Sequence, residues 1–189
     1  MKTSTAALLF LACLFFSFVT NEPEANEVII WNEYRPLTWD DFKGKRAEDA
    51  AGDAGTVVQI KAKPYIVKNE VKYDVSAVFV KNKSWADAHT KELLAHEQLH
   101  FDIAELYARK IRQEIARLSA AGEDDVKVFN RAIQKLLHES NEVDVQYDLE
   151  TLHGAMQNKQ AEWTKNVKSQ LKALAEFKKH RTVISADTK

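Results

Sequence analysis

A long stretch without a helix breaker constrains this chain more than any other feature. Residues 86–120 contain neither glycine nor proline. Apolar side chains recur there every three or four positions, which predicts one continuous helix with an apolar face. We expect the helix to end at Ala121 and Gly122, because glycine commonly follows the last turn of a helix. Its apolar positions include Leu93, Leu94, Ile103, Ala104, Tyr107, Ile111 and Ile115.

The sequence around this helix predicts a sheet before it and two more helices after it. Alternating or short apolar runs predict strands at residues 28–31, 56–62 and 71–80, with a hairpin connection at Asn69 and Glu70. Helical spacing resumes from about Asp124 towards Gly154, and again over residues 157–178. Strands followed by helices indicate an α+β fold, in which a small, mostly antiparallel N-terminal sheet precedes long helices.

A shorter signal lies between the first two predicted strands. Residues 37–42 read Leu-Thr-Trp-Asp-Asp-Phe. Threonine and aspartate are favoured N-caps, so this segment predicts a short capped turn or helix with Thr38 or Asp40 as the cap.

Composition supports one globular domain and excludes several classes of protein. The chain has 189 residues, of which 45% are hydrophobic and 29% charged, values that exclude wholesale disorder and a fibrous structure. A formal charge of −1 gives no field that would attract nucleic acid, so we expect no nucleic-acid partner. The residues typical of serine hydrolases (Gly-x-Ser-x-Gly) and of phosphate-binding loops are absent from the sequence.

The first residues resemble a targeting segment. Lys2 is followed by an uncharged, mainly apolar run over residues 6–19, too short for a comfortable membrane span of about 20 residues. We therefore predict a signal peptide over residues 1–20, with cleavage as late as residue 26, and an exported protein. Contact with a membrane is expected only through an uncleaved leader or one lipidated at Cys13. A single domain is expected over residues 27–181, followed by a flexible tail over residues 182–189.

The position of the only cysteine limits the chemistry of any functional site. Cys13 lies within the predicted leader. A mature chain without it has no disulfide, no thiolate ligand and no cysteine nucleophile. Any metal site must therefore use histidine, aspartate and glutamate.

The long helix contains a motif typical of zinc hydrolases. His96 and His100 are four residues apart, so their imidazoles lie on one helical face and can share an ion. Glu97 lies beside His96, where it can accept a proton from metal-bound water. The His-Glu-x-x-His pattern requires a helix, and the apolar spacing predicts one independently. Two idle surface histidines are the alternative interpretation, disfavoured by the apolar residues around the motif.

A catalytic zinc site usually needs a third protein ligand. Asp102 and Glu105 follow His100 on the same helix, so neither can easily complete a tetrahedral site. They are better suited to hydrogen bonds that support the metal ligands. We favour His153, because the second helix would bring it back towards His100 and Gly154 would let the backbone approach the metal. Glu150 and Asp148 are the alternatives. The wider set of downstream candidates is His138, Glu139, Glu142, Asp144, Asp148, Glu150 and His153.

Three blocks of sequence resemble a family of secreted bacterial proteins, first defined as a domain of unknown function and assigned as zinc-dependent proteases of the His-Glu-x-x-His (zincin) type. The blocks are residues 37–44, residues 93–112 with the motif, and residues 147–163 with Glu150, His153, Gly154, Gln160 and Trp163. The resemblance implies a compact metallopeptidase domain with the motif on its first long helix.

We expect an exported zinc-dependent metallopeptidase that hydrolyses peptide bonds in a peptide or protein substrate. Zinc would be held by His96, His100 and His153, with Glu97 as general base. Tyr147 and Tyr107 are candidate oxyanion donors. The strand over residues 75–80 is expected to pair with an extended substrate through a free edge.

Two alternatives remain at this stage. The first is a noncatalytic exported binding module whose metal only holds the helices together. The second is an amidase or cell-wall peptide hydrolase with the same site. The sequence indicates neither the substrate nor the oligomeric state.

Overall fold

The computed structural model describes residues 27–46, 48, 50, 52–68 and 70–179. The expected signal peptide over residues 1–20 (or to residue 26) and the tail over residues 182–189 lie outside these residues. Within the described ranges, no helix is both long enough and apolar enough to cross a membrane.

The strands form two small antiparallel sheets. β1, β4 and β3 make a three-stranded sheet in that order, and β2 pairs with β5. The strands are β1 (Val28–Ile30), β2 (Ala54–Gly55), β3 (Val58–Val67), β4 (Glu70–Val80) and β5 (Trp85–Ala86). Val67 pairs with Glu70, which confirms a hairpin, although its connection is at residues 68–69, one position earlier than expected.

β4 is the central strand of the larger sheet, so one expectation about it is wrong. Val78 pairs with Ile30 of β1 on one side and with Gln59 of β3 on the other. Over residues 78–80 both rows of backbone hydrogen-bonding groups are therefore used within the sheet, and Ala77 O accepts a hydrogen bond from Trp31 N at 3.0 Å. Val75 O accepts from Arg112 at 3.2 Å, so the segment over residues 75–80 has no continuous free edge for an extended substrate.

Three helices follow the strands, close to the expected positions. α1 (Lys91–Ala120) is preceded by Thr90, whose hydroxyl accepts a hydrogen bond from Leu93 N. α1 ends before Gly122, which has a φ of 78°, a left-handed conformation that favours glycine. α2 (Val126–Thr151) has Asp125 as its N-cap, and α3 (Gln157–Ala173) is followed by a 3-10 turn (Ala175–Phe177). The fold is α+β.

α1 lies between the sheet and the other two helices, and both of its sides are buried. On one side Phe101, Ala108 and Ile111 pack in a cluster with Phe79 of β4. On the other side apolar residues of α1 pack against α2 and α3; this second cluster contains Leu99, Ile103, Leu106, Tyr107, Tyr147, Val167 and Leu171. Removing this much apolar surface from water fixes the position and rotation of α1.

A buried ion network holds α1 to its neighbours. The Glu105 carboxylate accepts hydrogen bonds from Arg109 at 3.0 Å and from Arg112 at 3.1 Å. Arg109 also donates to Leu171 O at the end of α3, and Arg112 donates to the backbone oxygens of Val75 and Phe177. Glu105, expected to support the metal ligands, instead balances the charge of two arginines that bind carbonyl groups of the strand and the C-terminal segment.

The turn over residues 37–42 is present, as a 3-10 turn (Trp39–Asp41) preceded by Thr38. Asp41 is buried and accepts hydrogen bonds from Arg35, at 2.6 and 2.7 Å, and from Thr38 N at 2.9 Å. Burial alone would raise the pKa of Asp41, but these hydrogen bonds outweigh it and the pKa lies below its usual value.

We predict that Asp41→Asn lowers the free energy of unfolding by about 1–2 kcal/mol near pH 7, because it removes charge-assisted hydrogen bonds to a half-exposed arginine. A carboxylate with a lowered pKa stabilises the fold above its unfolded pKa of about 3.9, so the loss should shrink as the pH falls below about 4. Urea unfolding at both pH values measures it. Asp40→Asn, at the exposed neighbouring carboxylate, is the control and should have little effect.

Candidate metal centre

The two motif histidines lie together on the buried part of α1. His96 and His100 are both buried. Their Nε2 atoms are 3.3 Å apart, and their rings meet edge to face. The helical spacing of four residues therefore brings the two nitrogens close to one point, as the motif predicts.

Asp148 of α2 completes a group of three. Its Oδ1 atom is 3.1 Å from His96 Nε2 and 3.2 Å from His100 Nε2. Together with His96 and His100, it forms a cluster of potential metal ligands whose atoms all lie within 4.8 Å of one another. The Asp148 side chain is 29% exposed, so the cluster reaches solvent on the side of α2. These three residues are called the His-His-Asp cluster below.

The geometry of the cluster fits a small divalent ion. Its three atoms form a nearly equilateral triangle with sides of 3.1, 3.2 and 3.3 Å. Ligands about 2.1 Å from a tetrahedral zinc ion are about 3.4 Å apart, close to these values. Two imidazoles and one carboxylate also suit zinc and other transition metals better than calcium or magnesium, which prefer oxygen ligands.

The outer nitrogen of each histidine is held by a residue of another helix. His100 Nδ1 donates to Asp144 Oδ1 of α2 at 2.7 Å, and His96 Nδ1 donates to Gln160 Oε1 of α3 at 3.2 Å. A neutral imidazole that donates through Nδ1 presents the lone pair of Nε2. Both Nε2 atoms are thus oriented as ligands, in the way that outer hydrogen bonds orient metal-bound histidines.

The electrostatics of the cluster favour a positive charge between the helices. Burial opposes the charged form of His100, but hydrogen bonds to Asp144 and Asp148 raise its pKa to about 10. Burial would raise the pKa of Asp148, but hydrogen bonds from His100 and His96 lower it well below its usual value. A proton on His100 therefore occupies the place that a metal cation would take, and metal binding must release it.

Glu97 is buried next to the cluster without a polar partner. The residue is 3% exposed, and it forms no hydrogen bond or ion pair with any residue that the structure describes. Its oxygens are nevertheless not fully sealed from water, because the fully buried unpartnered side-chain atoms in the described residues are Thr56 Oγ1 and Gln160 Nε2. A carboxylate in this position is free to bind a water molecule or a proton at the centre. Glu97 lies close enough to Tyr147 for its charge to contribute to the raised pKa of that phenol.

Tyr147 supports the histidines from inside the core. Its ring stacks on His96 at 4.8 Å and meets His100 edge-on at 4.9 Å. Its hydroxyl lies 2.7 Å from Gln160 Oε1 and 3.1 Å from His96 O, and the side chain is fully buried. These contacts place Tyr147 as a support for the histidines and leave its hydroxyl no access to a substrate. Tyr107, the other candidate oxyanion donor, is also buried in the core.

Two other candidates lie outside the His-His-Asp cluster. Asp102 Oδ1 accepts hydrogen bonds from Trp31 Nε1 at 2.8 Å and Gln98 Nε2 at 2.9 Å, so it anchors α1 to the N-terminal segment. Glu150 is exposed and accepts hydrogen bonds from Gln146 and Trp163. Neither residue contacts the metal-binding atoms.

His153 lies at the edge of the cluster. Its Nδ1 atom is 3.5 Å from Asp148 Oδ1, and its side chain is more than half exposed. The structure thus brings His96 and His100 together with Asp148, which the sequence analysis gave as an alternative third ligand. The role of His153 as a metal ligand stays a prediction.

A left-handed turn after α2 positions this side of the centre. Leu152, His153 and Gly154 all have positive φ values, of 47°, 51° and 85°. Non-glycine residues rarely adopt this conformation, and such strain is concentrated at functional sites. The turn places Gly154 against the His96 side chain and begins α3 so that Gln160 reaches the same ring.

Two supporting residues were missed or left unassigned by sequence reasoning. Asp144 was only one of several downstream candidates, and Gln160 had no assigned role. Asp144 and Asp148 are four residues apart on α2, the same spacing as the two histidines on α1, and this matched pair was a usable signal. Gln160 had no such signal, because its position depends on the turn between α2 and α3.

The fold and the centre together define an α+β protein with a His-Glu-x-x-His helix and a potential metal site between helices. Residues 56–154 match the sequence model of a bacterial family described as proteins of unknown function, DUF922. This match covers more than half of the 189 residues, so the chain belongs to that family. No curated protein and no solved structure matches the chain.

We predict that Gly154→Ala weakens zinc binding about tenfold or more. A Cβ atom at this position would lie 3.0 Å from His96 Cγ and 3.1 Å from His96 Cβ, so the ring must move. Gly122→Ala is the matched control: its φ of 78° brings the same backbone strain, but a Cβ atom would have no neighbour within 4 Å. Competition with a fluorescent chelator measures affinity, and equal losses in the two variants would contradict the contact with His96.

Proposed function

We propose that this protein is a zinc-dependent hydrolase of peptide bonds. The observation that carries the proposal is the convergence of His96 Nε2, His100 Nε2 and Asp148 Oδ1 within 3.3 Å of one another. The buried, unpaired Glu97 beside His96 supports a catalytic rather than a purely structural centre. The His-Glu-x-x-His order, with a carboxylate as third ligand, is a donor set found in zinc hydrolases.

A bound zinc ion would activate water and polarise the substrate carbonyl. The chain's own groups account for the rest of the chemistry. Glu97 accepts a proton at its carboxylate and returns it to the leaving amine, and its burial strengthens that role because few water molecules compete for it. Asp144 and Gln160 keep the imidazoles of His100 and His96 in place, so the ligands need not reorganise during the reaction.

Two exposed leucines close in sequence to Asp148 and His153 support an apolar peptide as the substrate. Leu149 and Leu152 are exposed and flank the C-terminal end of α2, next in sequence to Asp148 and His153. Exposed apolar side chains beside a polar centre commonly bind apolar parts of a ligand. We propose that they contact an apolar side chain of the substrate close to the bond that is cleaved.

A noncatalytic module that is stabilised by a metal ion is the second candidate function, and the position of His153 is the observation that supports it. The Nδ1 atom of His153 lies 3.5 Å from Asp148 Oδ1, although His153 is not part of the group whose ligand atoms all lie within 4.8 Å of one another. A shift of its exposed side chain would bring it to a fourth ligand position. Four protein ligands would close the site to water, whereas a catalytic zinc keeps one position open. The number of protein ligands therefore distinguishes the two functions.

We also propose that the protein acts outside the cytoplasm. This proposal rests on Lys2 and the apolar run over residues 6–19. An exported hydrolase encounters both free peptides and the peptide crosslinks of the cell wall. Hydrolysis of an amide bond in such a crosslink would use the same metal centre and Glu97.

We predict that Asp148→Asn reduces zinc affinity more than 100-fold, because it removes a metal ligand, whereas His153→Ala reduces it at most tenfold. Zinc content after dialysis and chelator competition measure both. Circular dichroism checks that each variant remains folded. Equal, complete loss of zinc in both variants would show four protein ligands and would favour the noncatalytic module.

We predict that Glu97→Gln binds zinc with nearly unchanged affinity but loses hydrolytic activity by a factor of 100 or more, since glutamine cannot accept the proton. A library of apolar peptides, analysed by mass spectrometry for cleavage, gives the readout. Glu92→Gln makes the same chemical change at an exposed position in the first turn of α1 and serves as the control. Wild-type protein that holds zinc and cleaves no peptide or amide would contradict the proposal.

A further inference from the structure

The turn end of the β3–β4 hairpin is exposed on both faces. This end, residues 63–72, is called the hairpin tip, and all of its described residues are exposed. Ile66 is 75% exposed and Tyr65 is 49% exposed; Val67 and Val71 are also among the exposed large apolar residues. A soluble protein rarely exposes several adjacent apolar side chains without using them to bind something.

The base of the hairpin is firmly attached, so the hairpin tip projects from the body of the protein. Tyr73 stacks on Phe129 of α2 at 5.8 Å and donates to Asn130 Oδ1 at 3.2 Å. From Val75 to Val80 the strand is buried in the core. A two-stranded hairpin alone is marginal in water, and this attachment lets the tip keep its strand register without packing of its own.

The strand register gives the tip one apolar face and one mixed face. Ile66 lies opposite Val71 on the first, whereas on the other Tyr65 lies opposite Lys72 and Val67 opposite Glu70. Residues 63–72 contain three lysines and one glutamate, a formal charge of +2, whereas the whole chain carries −1. The Glu70 carboxylate pairs with Lys72 at 2.7 Å, so part of the charge of this lysine is balanced within the tip. Apolar side chains with lysines beside them complement a surface that is anionic outside and apolar inside.

Features of β3 disfavour a second copy of the chain as the occupant. β3 is an edge strand, and Pro64 in its outer half has no N–H to donate to another strand. Lysines along the strand, at positions 61 and 63, are a further feature of edges that resist pairing.

We propose that the hairpin tip inserts into the surface of a membrane that contains anionic phospholipids. Ile66 and Val71, which share one face, enter the boundary between headgroups and acyl chains, and Tyr65 and Val67 on the other face lie at the headgroup level. Lys68 and Lys72 remain with the lipid phosphates. This contact is separate from any leader, and it would hold the protein at the membrane surface.

The test places an environment-sensitive fluorophore on the tip of the full-length protein. Cys13→Ser removes the native thiol, and Ile66→Cys provides the labelling site. Val145→Cys, on an exposed position of α2 (59%), is the matched label control. Vesicles of phosphatidylcholine with phosphatidylglycerol are compared with vesicles of phosphatidylcholine alone. Because each label reports its own surroundings, insertion of the leader alone does not change the signal at residue 66.

We expect the label at residue 66 to shift to the blue and brighten several-fold with the anionic vesicles only, and the label at residue 145 to stay unchanged. Lys68→Gln with Lys72→Gln should weaken the apparent vesicle affinity several-fold, whereas Lys91→Gln with Lys165→Gln should not. No response at residue 66, or an equal response to uncharged vesicles, would overturn the proposal. A blue shift without vesicles, accompanied by dimers in sedimentation, would assign the tip to a second copy instead.

Discussion

The structure depends on the burial of α1 on both of its sides. One side of this helix packs on the sheet and the other on α2 and α3. The same helix carries His96, Glu97 and His100, so the packing that stabilises the fold also sets the orientation of the candidate metal ligands. A close-packed interior transmits small shifts, and a change in the core next to Leu99 or Ile103 would move the histidines with it.

The helices that cover α1 also complete the centre. α2 supplies Asp148 as a candidate metal ligand and Asp144 as the partner of His100, and α3 supplies Gln160 as the partner of His96. Tyr147 connects these elements, because it stacks on His96 and its hydroxyl lies within hydrogen-bonding distance of Gln160. The centre is therefore a property of three packed helices, and its formation is coupled to folding.

Two of the three non-glycine residues with positive φ in the described ranges, Leu152 and His153, lie in the turn that joins α2 and α3; the third is Lys68 in the β3–β4 connection. With Gly154, the turn between α2 and α3 has three consecutive residues with positive φ values. The turn brings the backbone of Gly154 against His96 and directs Gln160 to the same ring. A relaxed turn of another shape would leave His96 without its outer hydrogen bond, which gives the strained conformation a physical reason.

The sequence alone determined the three helices, the end of the first at Gly122, the α+β order and the pairing of His96 with His100. These features depend on local periodicity and on spacing within one helix, which neighbours in the chain specify. The place of β4 in the middle of the sheet, the burial of the Tyr147 hydroxyl and the gathering of Asp148 with the histidines were decided only by the tertiary structure. The sequence offers both Asp148 and His153 as partners of the two histidines. The position of Asp148 depends on the rotation of α2 about its axis, which is set by packing against α1, and the position of His153 depends on the left-handed turn after the end of α2. Neither position is specified by a local signal in the sequence.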